Sequence, residues 1–283
     1  MICQRGGAAV GVFLTLAAMS GLAQTTPSRA PRTANGRPDL NGIWEALSTA
    51  NWDLQDHAPE AGPLWQTGAI GAAPAGLGVV VGNDIPYLPE AAAKKKENFA
   101  NRAKLDPEAK CYLPGVPRAT YMPFPFQIVE SPKDILFVYE FASANRLVNM
   151  GKPKEAGADS WMGTSNGHWE GNTLVVETTN FNDKMGIGPN GGGIPQSEEM
   201  KLTERFTRVS DNTINYELTV NDPKTYTAPW KIGFPITHEP GYQIFEYACH
   251  EGNMAMRNMI TGTIAEKAAA GAAEKAAAAA KKN

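Results

Sequence analysis

The chain has 283 residues, a net charge of -3 and 42% hydrophobic residues, which suits one large globular domain or two small ones. A mildly acidic chain with dispersed lysines offers no basic surface for nucleic acid, so we exclude that class of partner. After the N-terminal segment, no stretch reaches the roughly 18 apolar residues that a membrane span needs, and we expect no span in the mature chain.

Residues 1–23 have the composition of a cleavable secretory signal. Arg5 precedes an apolar run from Ala8 to Leu22, and polar residues follow at once. We therefore expect a periplasmic or secreted protein that begins with a flexible arm over residues 24–38. Cleavage leaves two cysteines, Cys111 and Cys249, and export makes a disulfide between them the simplest expectation.

Residues 39–264 are predicted to form one domain, which opens on a strand around Gly42 and Trp44. This Gly-x-Trp resembles the opening of lipocalin-type barrels, in which the Trp closes one end beneath the first strand. Residues 51–126 show little strand pattern and many Gly, Pro and Ala residues, so we expect an irregular lid. One helix is predicted within it, from Pro89 to about Leu105.

After the lid, short β-branched and aromatic runs alternate with turn residues as far as Cys249. They predict roughly ten strands in an all-β, antiparallel meander that closes into a lipocalin-like barrel, because closure leaves no exposed edge. The last of these strands is expected from Tyr242 to Cys249. Residues 265–283 are rich in Ala and Lys and predict a frayed helix without chemistry.

The central hairpin of this series runs from Trp161 to Phe181 and turns near Gly171. Side-chain alternation sorts it into two faces. One face carries Thr164, Asn166, His168, Val175, Glu177 and Thr179, and the other carries Trp169, Leu174, Val176 and Thr178. The polar face is either the wall of a binding cavity or the solvated side of the sheet.

Carboxylates and histidines on neighbouring strands favour acid-base chemistry, which needs one such group in a partly dry pocket. Our leading hypothesis is a small-molecule site in the barrel that performs cofactor-independent proton transfer of the lyase or isomerase kind. It requires the polar hairpin face and the last strand to share the interior. The candidate bases, acids and orienting groups are His168, Glu170, Glu177, Glu246 and His250.

A small, largely apolar ligand is expected to contact aromatic side chains and an arginine, although the aromatic residues also suit the core. Arg118 and Arg205 are further anion-binding candidates, with ion pairing to Glu140 and Glu204 as the alternative. The ligand-binding candidates are Tyr139, Arg146, Tyr216, Trp230 and Tyr247.

Three alternatives remain open. A non-catalytic carrier of an apolar ligand needs the barrel alone. A metal-dependent enzyme would bind zinc or another divalent ion through His168, His238 and His250, although no paired-histidine spacing supports it. Ser165 lies in the G-x-S-x-G pattern of serine hydrolases, but that pattern requires a strand that turns into a helix, and here it enters a hairpin.

Several motifs together resemble a family of exported bacterial proteins of unassigned function. The resemblance covers most of the mature chain and implies no particular activity or catalytic residue. The lid and the Ala- and Lys-rich tail are the parts that it constrains least. The motifs are Pro38-Asp-Leu-Asn-Gly-Ile-Trp44, Cys111-Tyr-Leu-Pro-Gly-Val-Pro-Arg118, Trp161-Met-Gly163, Trp169-Glu-Gly-Asn-Thr-Leu-Val-Val176, Glu204-Arg-Phe206 and Tyr247-Ala-Cys-His-Glu-Gly-Asn253.

Overall fold

The computed structural model describes residues 30–61, 72–182, 184, 192–249, 251, 261–262, 264–265 and 267–272. The predicted signal, residues 1–23, and His250 lie outside the described residues. Among the described residues, no helix combines the length and the apolar character that a membrane crossing requires.

Nine strands of the described chain form one closed barrel in sequence order, with β9 paired back to β1. The predicted all-β barrel is therefore confirmed. The strands are β1 (Gly42–Glu45), β2 (Phe126–Glu130), β3 (Asp134–Tyr139), β4 (Asn145–Asn149), β5 (Thr164–Glu170), β6 (Thr173–Thr179), β7 (Lys201–Arg208), β8 (Thr213–Asn221) and β9 (Trp230–His238).

Two expectations about the strands are wrong. The meander is not wholly antiparallel, because β4 and β5 pair in parallel across the 150–163 connection. The segment from Tyr242 to Cys249 is not a strand. The physical reason is that Trp44 and Glu45 of β1 already pair with the end of β9, so that part of the edge of β9 is occupied.

Aromatic and aliphatic side chains fill the interior of the barrel. Phe126, Phe137, Phe206, Tyr216 and Phe234 form a continuous series of ring contacts with centroid separations between 4.9 and 6.1 Å. All five are at most 6% exposed. A barrel of this strand number is commonly filled by its own side chains, and this interior follows that rule.

Trp44 is fully buried at the end of β1, where its indole donates a hydrogen bond to the Leu40 carbonyl at 2.9 Å. The guanidinium of Arg208 stacks 5.0 Å from the centre of the Trp44 ring. In the described part of the neighbouring arm, Arg32 donates to Asn172 at the turn of the β5–β6 hairpin, 3.1 Å away. The arm thus packs against the barrel.

The insertion between β1 and β2, here called the cover, is irregular and partly helical, as expected. It contains α1 (Pro89–Ala100), α2 (Arg102–Leu105) and α3 (Arg118–Tyr121). Short 3-10 turns lie at Thr49–Asn51, Val81–Asn83 and Glu108–Lys110. Another such turn, Phe141–Ser143, follows β3, and residues 261–262, 264–265 and 267–272 are helical.

The cover is joined to the barrel by backbone hydrogen bonds. Val79 accepts from the Gly233 amide at 2.9 Å, and Leu88 donates to Thr225 at 2.9 Å. The fully buried helix α3 reaches the interior, since Thr120 Oγ1 lies 3.2 Å from the Tyr139 hydroxyl. Cover segments therefore continue the pairing of β9 beyond the short strand β1.

Cys111 in the cover and Cys249 in the C-terminal segment form a disulfide, with their Cα atoms 5.7 Å apart. The predicted pairing is thus present. Near this bridge, Glu140 accepts hydrogen bonds from the Tyr242 hydroxyl at 2.9 Å and the Phe245 amide at 3.1 Å. The C-terminal segment is held across the barrel end by these contacts instead of by strand pairing.

Candidate functional site in the cover

The polar face of the β5–β6 hairpin lies on the outside of the barrel. The predicted partition of the side chains into two faces agrees with the strand pairing, in which His168 is opposite Val175 and Trp169 is opposite Leu174. Leu174, Val176 and Thr178 are buried, and Val175 is the buried member of the polar face. Of the two alternatives left open for the polar face, the solvated side of the sheet is the one observed, so the requirement of the leading hypothesis that this face share the interior is not met. His168 and Glu170 have side chains that are 51% and 50% exposed.

These two residues form a solvated ion-pair cluster with β7. His168 Nε2 lies 3.2 Å from Glu170 Oε1, and Arg205 donates to Glu170 Oε2 at 2.8 Å. The hydrogen bonds from Arg205 and His168 lower the pKa of the Glu170 carboxyl. Arg205 thus takes the alternative expected for it, a surface ion pair, although with Glu170 as the partner.

The remaining catalytic candidates do not join this cluster in an enclosed space. Glu177 is exposed on the outer face of β6, and Glu246 is exposed in the irregular C-terminal segment. Because that segment is not a strand, alternation does not place Glu246 beside residue 250. The described candidates therefore do not converge inside the barrel.

Several predicted ligand-binding residues do lie together in the interior, around a buried ion pair. Arg146 of β4 is paired with Glu204 of β7, and both are at most 2% exposed. Arg146 also donates to Ser165 Oγ at 2.8 Å and to Thr178 Oγ1 at 2.7 Å. Tyr216 donates to Glu204 at 2.9 Å.

This interior network explains two further sequence features. Ser165, the central residue of the G-x-S-x-G pattern, is a buried partner of the Arg146 guanidinium in β5. Tyr139 is buried beside the pair, and burial raises the pKa of its hydroxyl. Since the network's polar groups use one another as partners, the network is suited to hold strands together.

The other two ligand-binding candidates lie elsewhere. Tyr247 packs on Phe141 and Phe124 at the barrel end, with ring centroids 4.8 and 5.9 Å away. Trp230 contacts Tyr226 edge-on at 5.5 Å, and Tyr226 contacts Tyr87 of the cover at the same distance. Trp230 thus connects the barrel to the cover through a series of rings.

The histidines considered for metal binding are not grouped. His168 lies on the outer face of β5, and His238 ends β9 with its ring 4.9 Å from that of Trp44. In the part of the chain that the structure describes, no three His, Cys, Asp or Glu residues are arranged to hold a metal ion.

A cleft of about 470 Å³ opens within the cover, between α1 and a ribbon of extended chain. In the ribbon, His57 pairs with Gly76 and Glu60 pairs with Ala73 through backbone hydrogen bonds of 2.9 to 3.0 Å. The lining is mainly apolar, with a few polar groups. It consists of Trp52, Asp53, His57, Glu60, Ala73, Tyr87, Ala92, Lys95, Lys96, Phe99 and Gly192.

The position of α1 over this cleft follows from local sequence. Pro89 begins the helix, where a missing amide hydrogen costs nothing. Gly193 has φ +77° and approaches the helix so closely that a Cβ atom there would lie 2.8 Å from the Lys95 carbonyl. Asn98 donates to the Gly193 carbonyl at 3.2 Å. The loop before β7 therefore contacts α1 directly, and its Gly192 is part of the cleft lining.

His57 lines this cleft, and one of its ring nitrogens has no partner among the described residues. Its Nδ1 lies 2.9 Å from the Gln55 carbonyl, which accepts only from a protonated nitrogen. That contact assigns the proton to Nδ1 and leaves Nε2 unprotonated in the neutral ring. Nε2 is buried and has no hydrogen-bond partner among the described residues. It is therefore a base or an acceptor that no described residue engages.

Tyr87 presents the complementary group. Its hydroxyl is also buried and without a partner in the described part of the chain. Burial raises the pKa of this hydroxyl, and the nearby Asp53 carboxylate raises it further. The group therefore stays protonated at neutral pH and can donate a hydrogen bond.

Buried polar atoms in proteins almost always have partners, so two such atoms in one apolar cleft call for an explanation. A bare imidazole nitrogen can accept a proton, and a protonated phenol can donate to an oxygen that gains negative charge. The sequence motifs assigned no role to His57 or Tyr87. The available signal was the density of Trp52, Asp53 and His57 within a lid otherwise rich in Gly, Pro and Ala.

Comparisons with family models, curated proteins and solved structures gave no match to this chain. The class of protein that the fold and the cleft define is thus a closed β-barrel with a disulfide-linked cover.

Proposed function

We propose that this protein binds a small, largely apolar molecule in the cover cleft and catalyses a cofactor-independent proton transfer on it. The reaction would be of the lyase or isomerase kind. The observation that carries the proposal is the pair of unpartnered groups, His57 Nε2 and the Tyr87 hydroxyl, in one apolar cleft of the described chain. Ligand sites commonly combine an apolar lining with a few such groups.

In this mechanism His57 Nε2 takes a proton from a carbon atom adjacent to a carbonyl group. The electron pair of the broken C–H bond forms the carbon–carbon double bond of an enolate, and the Tyr87 hydroxyl stabilises the enolate oxygen. The His57 imidazolium then returns the proton to another carbon, or the enolate expels a leaving group that takes this proton from the imidazolium. The Gln55 carbonyl holds the imidazole in the required tautomer throughout.

Hydrogen exchange tests the proposal on model compounds, so the natural substrate need not be identified first. A panel of enolisable ketones and enones is incubated with the protein in D₂O, and deuterium uptake is followed by NMR. We expect accelerated uptake for at least one compound, loss of that acceleration in His57→Gln, and a rate about a hundredfold lower in Tyr87→Phe.

The matched control is His168→Gln, which removes the exposed imidazole of β5 and should leave the exchange rate unchanged. Acceleration that survives His57→Gln would contradict the assignment of the base. The catalytic proposal would be contradicted if no compound of the panel showed accelerated exchange and no compound changed the unfolding temperature of the protein.

The rival function is a non-catalytic carrier, which the mainly apolar lining of the same cleft favours. Native mass spectrometry of the protein purified from its host separates the two functions. A carrier should retain an intact apolar molecule at one per chain and give no exchange. A metal-dependent enzyme would instead retain a stoichiometric metal ion.

The proposal includes export to the periplasm or beyond, as the N-terminal segment suggests. The Cys111–Cys249 pair supports it, because disulfides persist in oxidising compartments. It also includes membership of the exported bacterial family whose motifs the chain resembles.

A further inference from the structure

We infer that the molecule bound in the cover cleft is a planar, ring-containing anion whose negative group pairs with Lys95. This inference rests on the proposed function and adds the chemical class of the substrate. It is carried by the charged side chains that line the cleft. The carboxylates of Asp53 and Glu60 each have a local interaction, whereas the ammonium of Lys95 is in no described ion pair.

The negative groups of the cleft have local partners. Asp53 accepts a hydrogen bond from the Gln55 amide at 2.9 Å. Glu60 lies near Arg102, where burial lowers the pKa of the guanidinium and the charge of Glu60 opposes that effect. Both carboxylates can therefore remain in place without a cationic ligand.

Lys95 differs from the preceding lysine of the same helix. Lys94 is exposed and pairs with Glu97 at 3.1 Å, one helical turn along. Lys95 is half-buried, and its ammonium lies 5.6 Å from the centre of the Tyr87 ring. Among the described residues neither Lys95 nor Lys96, which also lines the cleft but is exposed, has a carboxylate within ion-pair distance. A cation held over an aromatic ring at the cleft is available to an anion.

The rings of the lining define the remainder of the ligand. Trp52, Tyr87 and Phe99 bound the cleft, with Ala73 and Ala92 between them. Aromatic faces and small side chains favour a flat apolar body. The unpartnered hydroxyl of Tyr87 lies on the same residue whose ring supports Lys95. A ligand that carries an oxygen near its anionic group would thus use both.

Two fluorescent probes of similar shape and different charge test this inference. 1-Anilinonaphthalene-8-sulfonate is an aromatic anion, and N-phenyl-1-naphthylamine is its neutral counterpart. We expect Lys95→Met to weaken binding of the anion about tenfold, the effect of one charge-assisted contact, and to leave the neutral probe within about twofold. Lys95→Arg should restore most of the loss.

Lys94→Met is the matched control on the same helix and should leave both affinities within about twofold of wild type. Ala92→Phe narrows the cleft and should weaken both probes equally, which places them at this site. Binding of the anion that is unchanged in Lys95→Met overturns the inference. An equal loss of both probes in Lys95→Met also overturns it, because Lys95 would then act through packing.

The two proposals fail in distinguishable ways. Suppose that the neutral probe binds to the wild-type protein and binds more weakly to Ala92→Phe, while Lys95→Met leaves the affinity for the anionic probe unchanged. Only the inferred ligand class is then wrong. If neither probe binds to the wild-type protein, then the cleft does not take aromatic molecules and the inference about the ligand class falls, while the deuterium-exchange experiment still decides the proposed function.

Discussion

Individual polar side chains of this protein fall into two groups that differ in how their hydrogen-bonding capacity is used. Around Arg146 and Glu204, buried groups satisfy one another across several strands. In the cover, His57 Nε2 and the Tyr87 hydroxyl remain buried without described partners. The first arrangement stabilises a fold, and the second leaves capacity for a ligand.

Removing one charge of the buried pair should strongly destabilise the barrel. We expect Glu204→Gln to lower the free energy of unfolding by about 3 to 5 kcal/mol, because the Arg146 guanidinium would stay buried without a compensating charge. Urea denaturation followed by tryptophan fluorescence measures the change.

The control for this variant is Glu170→Gln, which makes the same chemical change at a half-exposed ion pair on the outer face. Solvent screens that pair, so its urea midpoint should match that of wild type. Equal midpoints for Glu204→Gln and wild type would show that the buried pair contributes little.

For individual residues, the sequence predicted the members of the interior group better than it predicted the residues of the cleft. Tyr139, Arg146 and Tyr216 lie on strands, where alternation predicts the facing of each side chain. His57 and Tyr87 lie in irregular chain, where no period relates position to burial. The outward facing of His168 was also undetermined, since alternation separates two faces without saying which one is enclosed.

Among the elements, the junction between β4 and β5 is one of the two shortest pairings in the barrel wall, the other being that of β1 with β9. The β4–β5 junction is parallel and holds only the pairs Val148 with Ser165 and Asn149 with Asn166. By contrast, β7 and β8 share eight residue pairs. The Arg146 side chain spans this junction, because it starts on β4 and bonds Ser165 of β5 and Thr178 of β6.

Close approach at this junction depends on Gly167. A Cβ atom there would lie 2.6 Å from the Met150 sulfur and 2.7 Å from a Val148 methyl carbon. We expect Gly167→Ala to lower the free energy of unfolding by about 1 to 3 kcal/mol through overpacking. Thermal unfolding followed by circular dichroism measures it.

Gly233 in β9 provides a control in the middle of another strand, because the nearest atom to a Cβ there is the Tyr216 carbonyl oxygen at 3.6 Å. Gly233→Ala should leave the unfolding temperature unchanged or slightly higher, since alanine costs less conformational entropy than glycine. If both variants lost equal stability, the cause would be strand glycines in general and not the parallel junction.

The sequence predicted the central hairpin and a series of short strands after the cover because β-branched runs and turn dipeptides are local signals. The parallel pairing of β4 with β5 was not predictable from such local signals, because the 150–163 connection has no hydrophobic periodicity that would indicate its path. The strand expected from Tyr242 to Cys249 failed for a non-local reason. Its place beside β9 is occupied by β1, from the opposite end of the domain.

At the scale of the whole molecule, several contacts stabilise the cover and attach it to the barrel. Backbone pairing joins residues 79–88 of the cover to β9 and to the β8–β9 turn. Arg118 is buried between Asp106 and Glu108 at 2.6 Å from each, and these carboxylates raise the pKa of its guanidinium against the opposing effect of burial. The disulfide then ties the cover to the C-terminal segment.

Breaking the disulfide should release the cover before it unfolds the barrel. Cys111 and Cys249 are 138 residues apart, and a loop of that length corresponds to a stabilisation of about 4 to 5 kcal/mol in the chain-entropy model. In that model the bridge restrains the unfolded chain between residues 111 and 249, which includes β2 to β9. In the folded protein it joins the cover to the C-terminal segment, while the interior aromatic contacts and the Arg146 network of the barrel do not involve either cysteine. We therefore expect the Cys111→Ser, Cys249→Ser double variant to remain folded with a lower unfolding temperature. Under limited proteolysis its first cleavages should fall within residues 79–118, identified by mass spectrometry of the fragments.

Reductant should produce the same pattern in wild type and no further change in the double variant. First cleavages within β5 to β8 would mean that the bridge stabilises the barrel itself, and the cover would then have to be regarded as an integral part of the barrel fold.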